Sequence, residues 1–228
     1  MTLPTNTRVQ APADSLKAQA PRKRKSAVRK PRVNHTTRKL IYLRAAARVL
    51  LEKGVGASMQ DIADGAGAPK PVFYRAFASR ADLMNALFQH VHDTILLSQQ
   101  GEWDGYGWAL KMLYQRARLD PEIFRVVLTV LRGEPALEEW RTRLLEVVHA
   151  QTVLTFQPSP GAPPGGKARA IRASRTLSTL AFDTLVTWLE ERDGLTDEER
   201  FRWWGRIVRE WRKATREAFR LDSPDKVR

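Results

Sequence analysis

Between residues 58 and 79 the chain carries helix-start and helix-stop signals so closely spaced that only short helices joined by tight turns can satisfy them. Ser58 precedes Met59-Gln60-Asp61-Ile62-Ala63, and Asp61, three residues on, is the reciprocal partner of a capping box. Met59, Ile62 and Ala63 form one apolar face, and Gly67 ends the segment. Pro69-Lys70-Pro71 follows and leads at once into Val72-Phe73-Tyr74-Arg75-Ala76-Phe77. Ser79 then caps another helix, again with an acid, Asp82, three residues on. Upstream, Leu40, Leu43, Ala46, Ala47 and Leu50 recur at helical spacing and stop at Gly54.

Two prolines beside a helix are expected at its start, because the first-turn backbone N–H groups have no intrahelical partner. Proline also disfavours the α conformation in the residue before it. The third helix is therefore expected to begin at Pro71, with Lys70 held outside the α region, and to run to about 77. Short helix, glycine turn, short helix is the helix-turn-helix pattern, in which the second helix lies in the DNA major groove. Phe73 and Phe77, four apart, are expected to pack inward, and Val72 to face out early in the helix.

Beyond Ser79 the periodicity predicts helices near 80–100, 104–119, 121–132, 134–155, 168–192 and 196–220. The segment 157–167, with four prolines and three glycines, is a surface loop. There is no convincing strand alternation and no internal repeat, so the expected fold class is all-α. Three regions are expected: a disordered basic arm, 1–34; a helix-turn-helix DNA-binding domain, 35–92; and a helical ligand-binding and dimerisation domain, 93–228. Charge follows the same division. The formal net charge is +14, of which residues 1–34 hold +8, residues 35–92 hold +4 and the remainder +2. A basic front end suits an anionic partner. No apolar run approaches the roughly 18 residues that span a bilayer, so no membrane partner is expected. The absence of cysteine excludes thiolate metal sites and Cys nucleophiles and fits a cytoplasmic protein, nucleoid-associated when bound to DNA.

Residues of about 36–92 resemble the N-terminal domain of TetR-type (TetR/AcrR-like) bacterial transcriptional regulators. The resemblance rests on Ala45-Ala46, Glu52 and Gly54, then Asp61-Ile62-Ala63 and Ala66-Gly67. It continues through Lys70, Phe73-Tyr74 and Phe77 to Ser79-Arg80 and Leu83. Pro69 stands where that family often has a capping serine. The resemblance implies a DNA operator, a homodimer and a small-molecule effector as partners, and a tyrosine at position 74 that contacts phosphate. Lys70 and Arg75 place cations for phosphate, Tyr74 a hydroxyl donor, and Val72 a methyl-sized contact for thymine; Pro71 stiffens the approach. The same side chains have plainer readings: Tyr74 as a half-buried core residue, Arg75 as a solvated charge. Ser58 and Gln60 are further phosphate candidates. Arg80 sits at a helix N-terminus, where the dipole disfavours a cation; a nearby phosphate would explain it, and so would chance.

Catalytic patterns are poor. His90 and His92, two apart on a helix, face nearly opposite ways and cannot share a metal. There is no glycine-rich phosphate loop or serine elbow. No cofactor, metal or catalytic residue is expected, and the protein is not expected to be an enzyme. In the back half, Trp103, Trp108, Phe124, Trp140 and Phe156 are candidates for an apolar effector pocket or simply core. Leu177, Leu185 and Trp188 on one late helix, and Trp204 and Trp211 on the other, form apolar stripes. The resemblance implies a dimer interface there; a protomer core would give the same pattern. The leading function is a ligand-responsive repressor released from a palindromic operator by a small apolar effector. The alternatives are an architectural DNA-binding protein without effector, or a helical enzyme.

Deleting residues 1–34 is expected to leave the dimer folded, since a segment so poor in apolar groups cannot offset its own ordering entropy. If its nine cations reach DNA, the slope of log K against log[salt] becomes shallower by roughly 0.9 per lost phosphate contact. An unchanged slope in a filter-binding titration would make the arm a solubilising tail.

Overall fold

The computed structural model describes residues 35–102, 104–131, 137–190 and 194–221. The expected arm, 1–34, and Trp103 lie outside the described residues. Nine α-helices and no strand are found among the described residues, in agreement with an all-α fold. The first four are α1 (His35–Lys53), α2 (Met59–Gly65), α3 (Lys70–Ala76) and α4 (Arg80–Ser98). After them come α5 (Trp108–Ala117), α6 (Pro121–Arg125), α7 (Glu138–Thr155), α8 (Gly166–Glu190) and α9 (Asp197–Ala218). None of the described helices is long and apolar enough to cross a membrane.

The local signals act as their chemistry requires. Ser58 and Asp61 form the reciprocal capping box at the start of α2. Lys53, at the end of α1, donates to the same Asp61 carboxylate. Hydrogen bonds from Lys53 and Ser58 hold that carboxyl well below the usual carboxylate range. Gly65 lets α2 lie against α1, because a Cβ there would stand 2.4 Å from Val49 Cγ2. Leu43, Ala46, Ala47 and Leu50 of α1 are buried, as are Leu83, Leu87, Val91 and Ile95 of α4.

The start of α3 differs from the sequence expectation. The helix begins at Lys70, which is helical, and not at Pro71. Pro69 is the residue that takes the extended conformation, with ψ 131°. Its carbonyl accepts from the Val72 N–H at 2.8 Å and the Phe73 N–H at 3.1 Å. Pro71 thus falls one residue inside the helix, where a missing N–H still costs no intrahelical bond. The cap position is already extended, so Lys70 can be helical despite the proline that follows it.

Two later elements also depart from periodicity. The helix expected from about 104 starts only at Trp108, because Gly105 and Gly107 adopt left-handed φ values of 97° and 93° and turn the chain first. The segment expected as one helix over 121–132 is α-helical over Pro121–Arg125 and π-helical over Val126–Val130. Its wider turn is closed by the Leu131 N–H donating to the Val126 carbonyl at 2.9 Å.

Asp120, immediately before α6, is 7% exposed and joins three helices. Arg44 of α1 donates through Nε to Asp120 Oδ1, and through its Nη2 to the Leu119 carbonyl at 3.4 Å. His90 of α4 donates through Nε2 to Asp120 Oδ2 at 3.1 Å. Burial pushes the Asp120 carboxyl up, but the hydrogen bonds from His90 and Arg44 outweigh it and leave its pKa lowered.

A carboxyl whose folded pKa is depressed contributes stability above its unfolded pKa, about 4, and loses it as pH falls through the lower folded value. Asp120→Asn is therefore expected to destabilise the protein by about 1–3 kcal/mol at neutral pH. In urea titrations the gap between variant and wild type should close as the pH is lowered below about 4; a gap constant with pH would show that charge at Asp120 contributes nothing.

Candidate nucleic-acid interface

The inward face of α3 is fixed by aromatic packing. Phe73 and Phe77 are buried. Phe73 lies 5.7 Å from the Tyr42 ring of α1 and 5.4 Å from Phe77, between ring centroids. Lys39 of α1 sits 5.6 Å above the Phe77 ring. With that face pinned, helical geometry turns Lys70, Pro71, Tyr74 and Arg75 to solvent together, and all four are exposed. Tyr74 is 38% exposed, its ring edge-on to Phe73 at 6.5 Å, so its body is braced while its hydroxyl end reaches outward. Neither Lys70 nor Arg75 has a carboxylate partner among the described residues. Val72 is half-buried and packs against the core.

The remaining candidates have structural duties. The Ser58 hydroxyl accepts from the Asp61 N–H at 3.1 Å and donates to the Asp61 carboxylate. Gln60 is half-buried, with its Nε2 donating to Asp64 Oδ1 at 2.7 Å and its Oε1 buried without a partner. Arg80 donates through both guanidinium ends to the backbone carbonyls of Val55 and Ala57. It holds the α1–α2 connection against the start of α4. Two carbonyl acceptors explain a cation at a helix N-terminus without any phosphate.

A cavity of about 360 Å³ lies in the back half, walled by α4, α5, α7, α8 and α9. Of the aromatic pocket candidates, Trp108 lines it. Phe124 and Phe156 are fully buried core and do not. Trp140 stacks on Phe88 at 6.1 Å and donates Nε1 to Asn85 Oδ1 at 2.7 Å. The interface candidates also turn inward. Leu177 and Trp204 line the cavity. Leu185 is buried, Trp188 packs edge-on against Tyr114 and Phe201 at 5.6 and 6.0 Å, and Trp211 is half-buried against the core. Leu177, Leu185, Trp188 and Trp204 are thus buried within the protomer, while Trp211 is only partly covered. On α9 the outward face carries Trp203, 51% exposed, among Arg202, Arg206, Arg209 and Lys213. Sequence reasoning did not find Tyr106 and Arg212 at the cavity; the spacing Trp204, Val208, Arg212 on one helical face was the available signal. Among the described residues no group of His, Asp and Glu could hold a metal ion.

Residues 43–87, from α1 through the first half of α4, match the profile of the tetR family of bacterial regulatory proteins. Over these residues the chain resembles this family. Its fold is shared with a protein from Syntrophomonas wolfei assigned to the same family, at TM-score 0.57 and 14% identity over 78% of this chain and 96% of that one. A tetR-family transcriptional regulator from Streptomyces coelicolor aligns at TM-score 0.53 and 18% identity, over 82% of this chain and 90% of that one. NalD of Pseudomonas aeruginosa, the secondary repressor of the MexAB-OprM multidrug efflux pump, aligns at TM-score 0.52 and 18% identity, over 78% and 96%. At these identities the likeness is one of fold. No curated protein matches the chain.

In this tetR-family domain, Tyr74→Phe and Lys70→Ala are each expected to weaken DNA binding by about 1 kcal/mol across all sequences, with little effect on stability. Arg80→Gln is expected to do the reverse, lowering the melting temperature while leaving the salt slope unchanged. Electrophoretic mobility shifts at several salt concentrations, paired with thermal melts, check both; a shallower salt slope for Arg80→Gln would return it to the phosphate contacts.

Proposed function

We propose that the protein is a homodimeric, ligand-responsive transcriptional repressor acting in the cytoplasm. The observation that carries this reading is the outer face of α3. Lys70, Tyr74 and Arg75 are exposed together on a helix whose opposite face is pinned to α1 by Phe73 and Phe77. Such a helix presents cations and a hydroxyl donor to a phosphate-lined groove from a backbone already ordered before binding. Pro71 and Val72 stand at its N-terminal end, where the recognition helix of this motif approaches base edges. A two-fold mate would carry a second α3, and the two would read half-sites about 34 Å apart on one DNA face.

The cavity supports the ligand-responsive part of the reading. Helix α4 runs from Arg80, which holds the α1–α2 connection, through His90 at the Asp120 joint, to Ile95 and Ser98 on the cavity wall. A ligand that prefers one position of the far end of α4 therefore biases the position of α3. NalD, of the same fold, is a repressor of an efflux pump; repression by this chain is proposed on the same plan. A regulator is proposed in preference to an enzyme because the polar groups of the site are phosphate-binding types on an exposed helix.

The test is selection of genomic fragments by the purified full-length protein, followed by footprinting. The expected outcome is a protected inverted repeat bound by a dimer, with affinity falling steeply as salt rises. Binding with no preference over random duplex would sink the repressor reading.

A further inference from the structure

The charge of the back half is polarised in a way that its near-neutral total conceals. Residues 157–180 hold four cations, Lys167, Arg169, Arg172 and Arg175, and no acid. Residues 211–221 hold four more, Arg212, Lys213, Arg216 and Arg220, against one acid, Glu217. These two stretches net +7, whereas 93–228 as a whole nets +2, so the rest of that region nets −5. The fold brings the two stretches together. Arg169, at the start of α8, donates through Nη1 to the Phe219 carbonyl just past α9, at 2.9 Å. Arg216 of α9 donates through Nη1 to the Gln157 carbonyl and through Nη2 to Ser159 Oγ, both at 2.7 Å. The Ser159 N–H donates to the Leu221 carbonyl at 2.8 Å. The start of α8, the loop before it and the end of α9 thus form one basic corner.

Arg169 and Arg216 tie this corner together, and five other cations in it have no such duty. Lys167, Arg172, Arg175, Lys213 and Arg220 are all exposed, and their side chains have no hydrogen-bond or ion-pair partner. Lys167 and Arg175 line a groove between α7 and α8, of about 600 Å³, with His149 and Glu146 of α7. Burial and the Arg175 cation hold the His149 imidazole below its ordinary range, against the opposing pull of Glu146. The residues that follow Leu221 carry two acids and two cations and lie outside the described residues.

The corner is remote from α3. Gln99, at the far end of α4, donates to the Val147 carbonyl at 3.2 Å, and His149, two residues on, shares the groove with Arg175. Arg80, at the other end of α4, holds the α1–α2 connection. The 19 residues of α4 put about 28 Å between those ends.

We propose that this corner is a second nucleic-acid surface, which holds the phosphate backbone of a duplex segment other than the one read by α3. The inference goes beyond the repressor reading and does not need it. A cation that meets a phosphate releases a counterion, and the planar fork of arginine matches phosphate oxygens. Nucleic-acid interfaces are polar and strongly positive. Protein interfaces instead centre on a desolvated core poor in charge. In the two stretches Phe219, 37% exposed, is the one large apolar side chain exposed among the described residues. A single ring also makes no stacking platform for unpaired bases, which leaves the duplex backbone. A lipid surface fits less well, because Ala170, Ala173 and Leu177 of α8 and Trp204 and Val208 of α9 are buried and cannot enter it.

The test is fluorescence anisotropy of a short random-sequence duplex titrated with two full-length proteins. The first carries Lys70→Ala and Arg75→Ala, which silence the α3 contacts. The second adds Lys167→Gln, Arg172→Gln, Arg175→Gln and Lys213→Gln. The first is expected to keep salt-sensitive binding. The second is expected to bind at least about ten-fold more weakly, its slope of log K against log[salt] shallower by roughly 0.9 per lost phosphate contact. Thermal melts of the two should coincide, since the four side chains have no partner in the fold. Equal affinity and slope for the two proteins would overturn the proposal, as would no binding by the first. Weakening accompanied by a lower melting temperature would also overturn it, because the four cations would then serve the fold. Displacement of the duplex by poly-L-glutamate at equal charge concentration would make the corner a surface for an acidic protein. Tighter binding of the first protein to phosphatidylserine vesicles than to duplex would make it a lipid surface. Either result overturns the proposal. A wild type without sequence preference, which sinks the repressor reading, leaves this comparison intact.

Discussion

The buried carboxylate of Asp120 is the point on which the molecule's organisation turns. It lies just before α6 and accepts from Arg44 of α1 and His90 of α4. A carboxylate so enclosed is tolerable only because both its oxygens are engaged by donors from two other helices. Removing any partner leaves a buried polar group unsatisfied, so the three helices are committed to one mutual arrangement. That commitment joins the helix-turn-helix end of the chain, through α1 and α4, to the helices around the cavity.

Helix α4 extends the same logic along its length. Leu83, Leu87, Val91 and Ile95 bury a continuous stripe at four-residue spacing, so the helix is packed along most of its length. One end receives the Arg80 contacts to the α1–α2 connection, the middle holds His90, and the other end lines the cavity. The α1–α2 connection and the cavity thus stand at the two ends of one packed helix. The glycine contact between Gly107 and Gly205 does comparable work on the far side of the cavity, where it lets a loop carbonyl approach α9 closer than any side chain would permit.

The functional readings differ in how directly the residues express them. Lys70, Tyr74 and Arg75 stand out because the inward aromatics leave them no other direction. Ser58 and Arg80, weaker candidates in the sequence, are engaged within the protein: a capping box with Asp61 in one case, the carbonyls of Val55 and Ala57 in the other. The aromatic stripes of α8 and α9 show the converse. Apolar spacing states that a face is buried, but says nothing of whether its cover is the same chain or a second one; here Leu185, Trp188 and Trp204 are covered within the protomer.

The sequence by itself determined the all-α class, the N-caps at Ser58 and Ser79, and the burial of Phe73 and Phe77. These are local: caps, turns and helical periodicity act within a few residues. It placed the start of α3 one residue late because two prolines compete for the cap, and the winner depends on which carbonyl the following N–H groups can reach. Only the tertiary structure decided the Asp120 joint, the duties of Arg80 and the cavity with Arg212 at its rim. Each joins residues dozens of positions apart, and no short-range pattern records which distant donor a buried oxygen will meet.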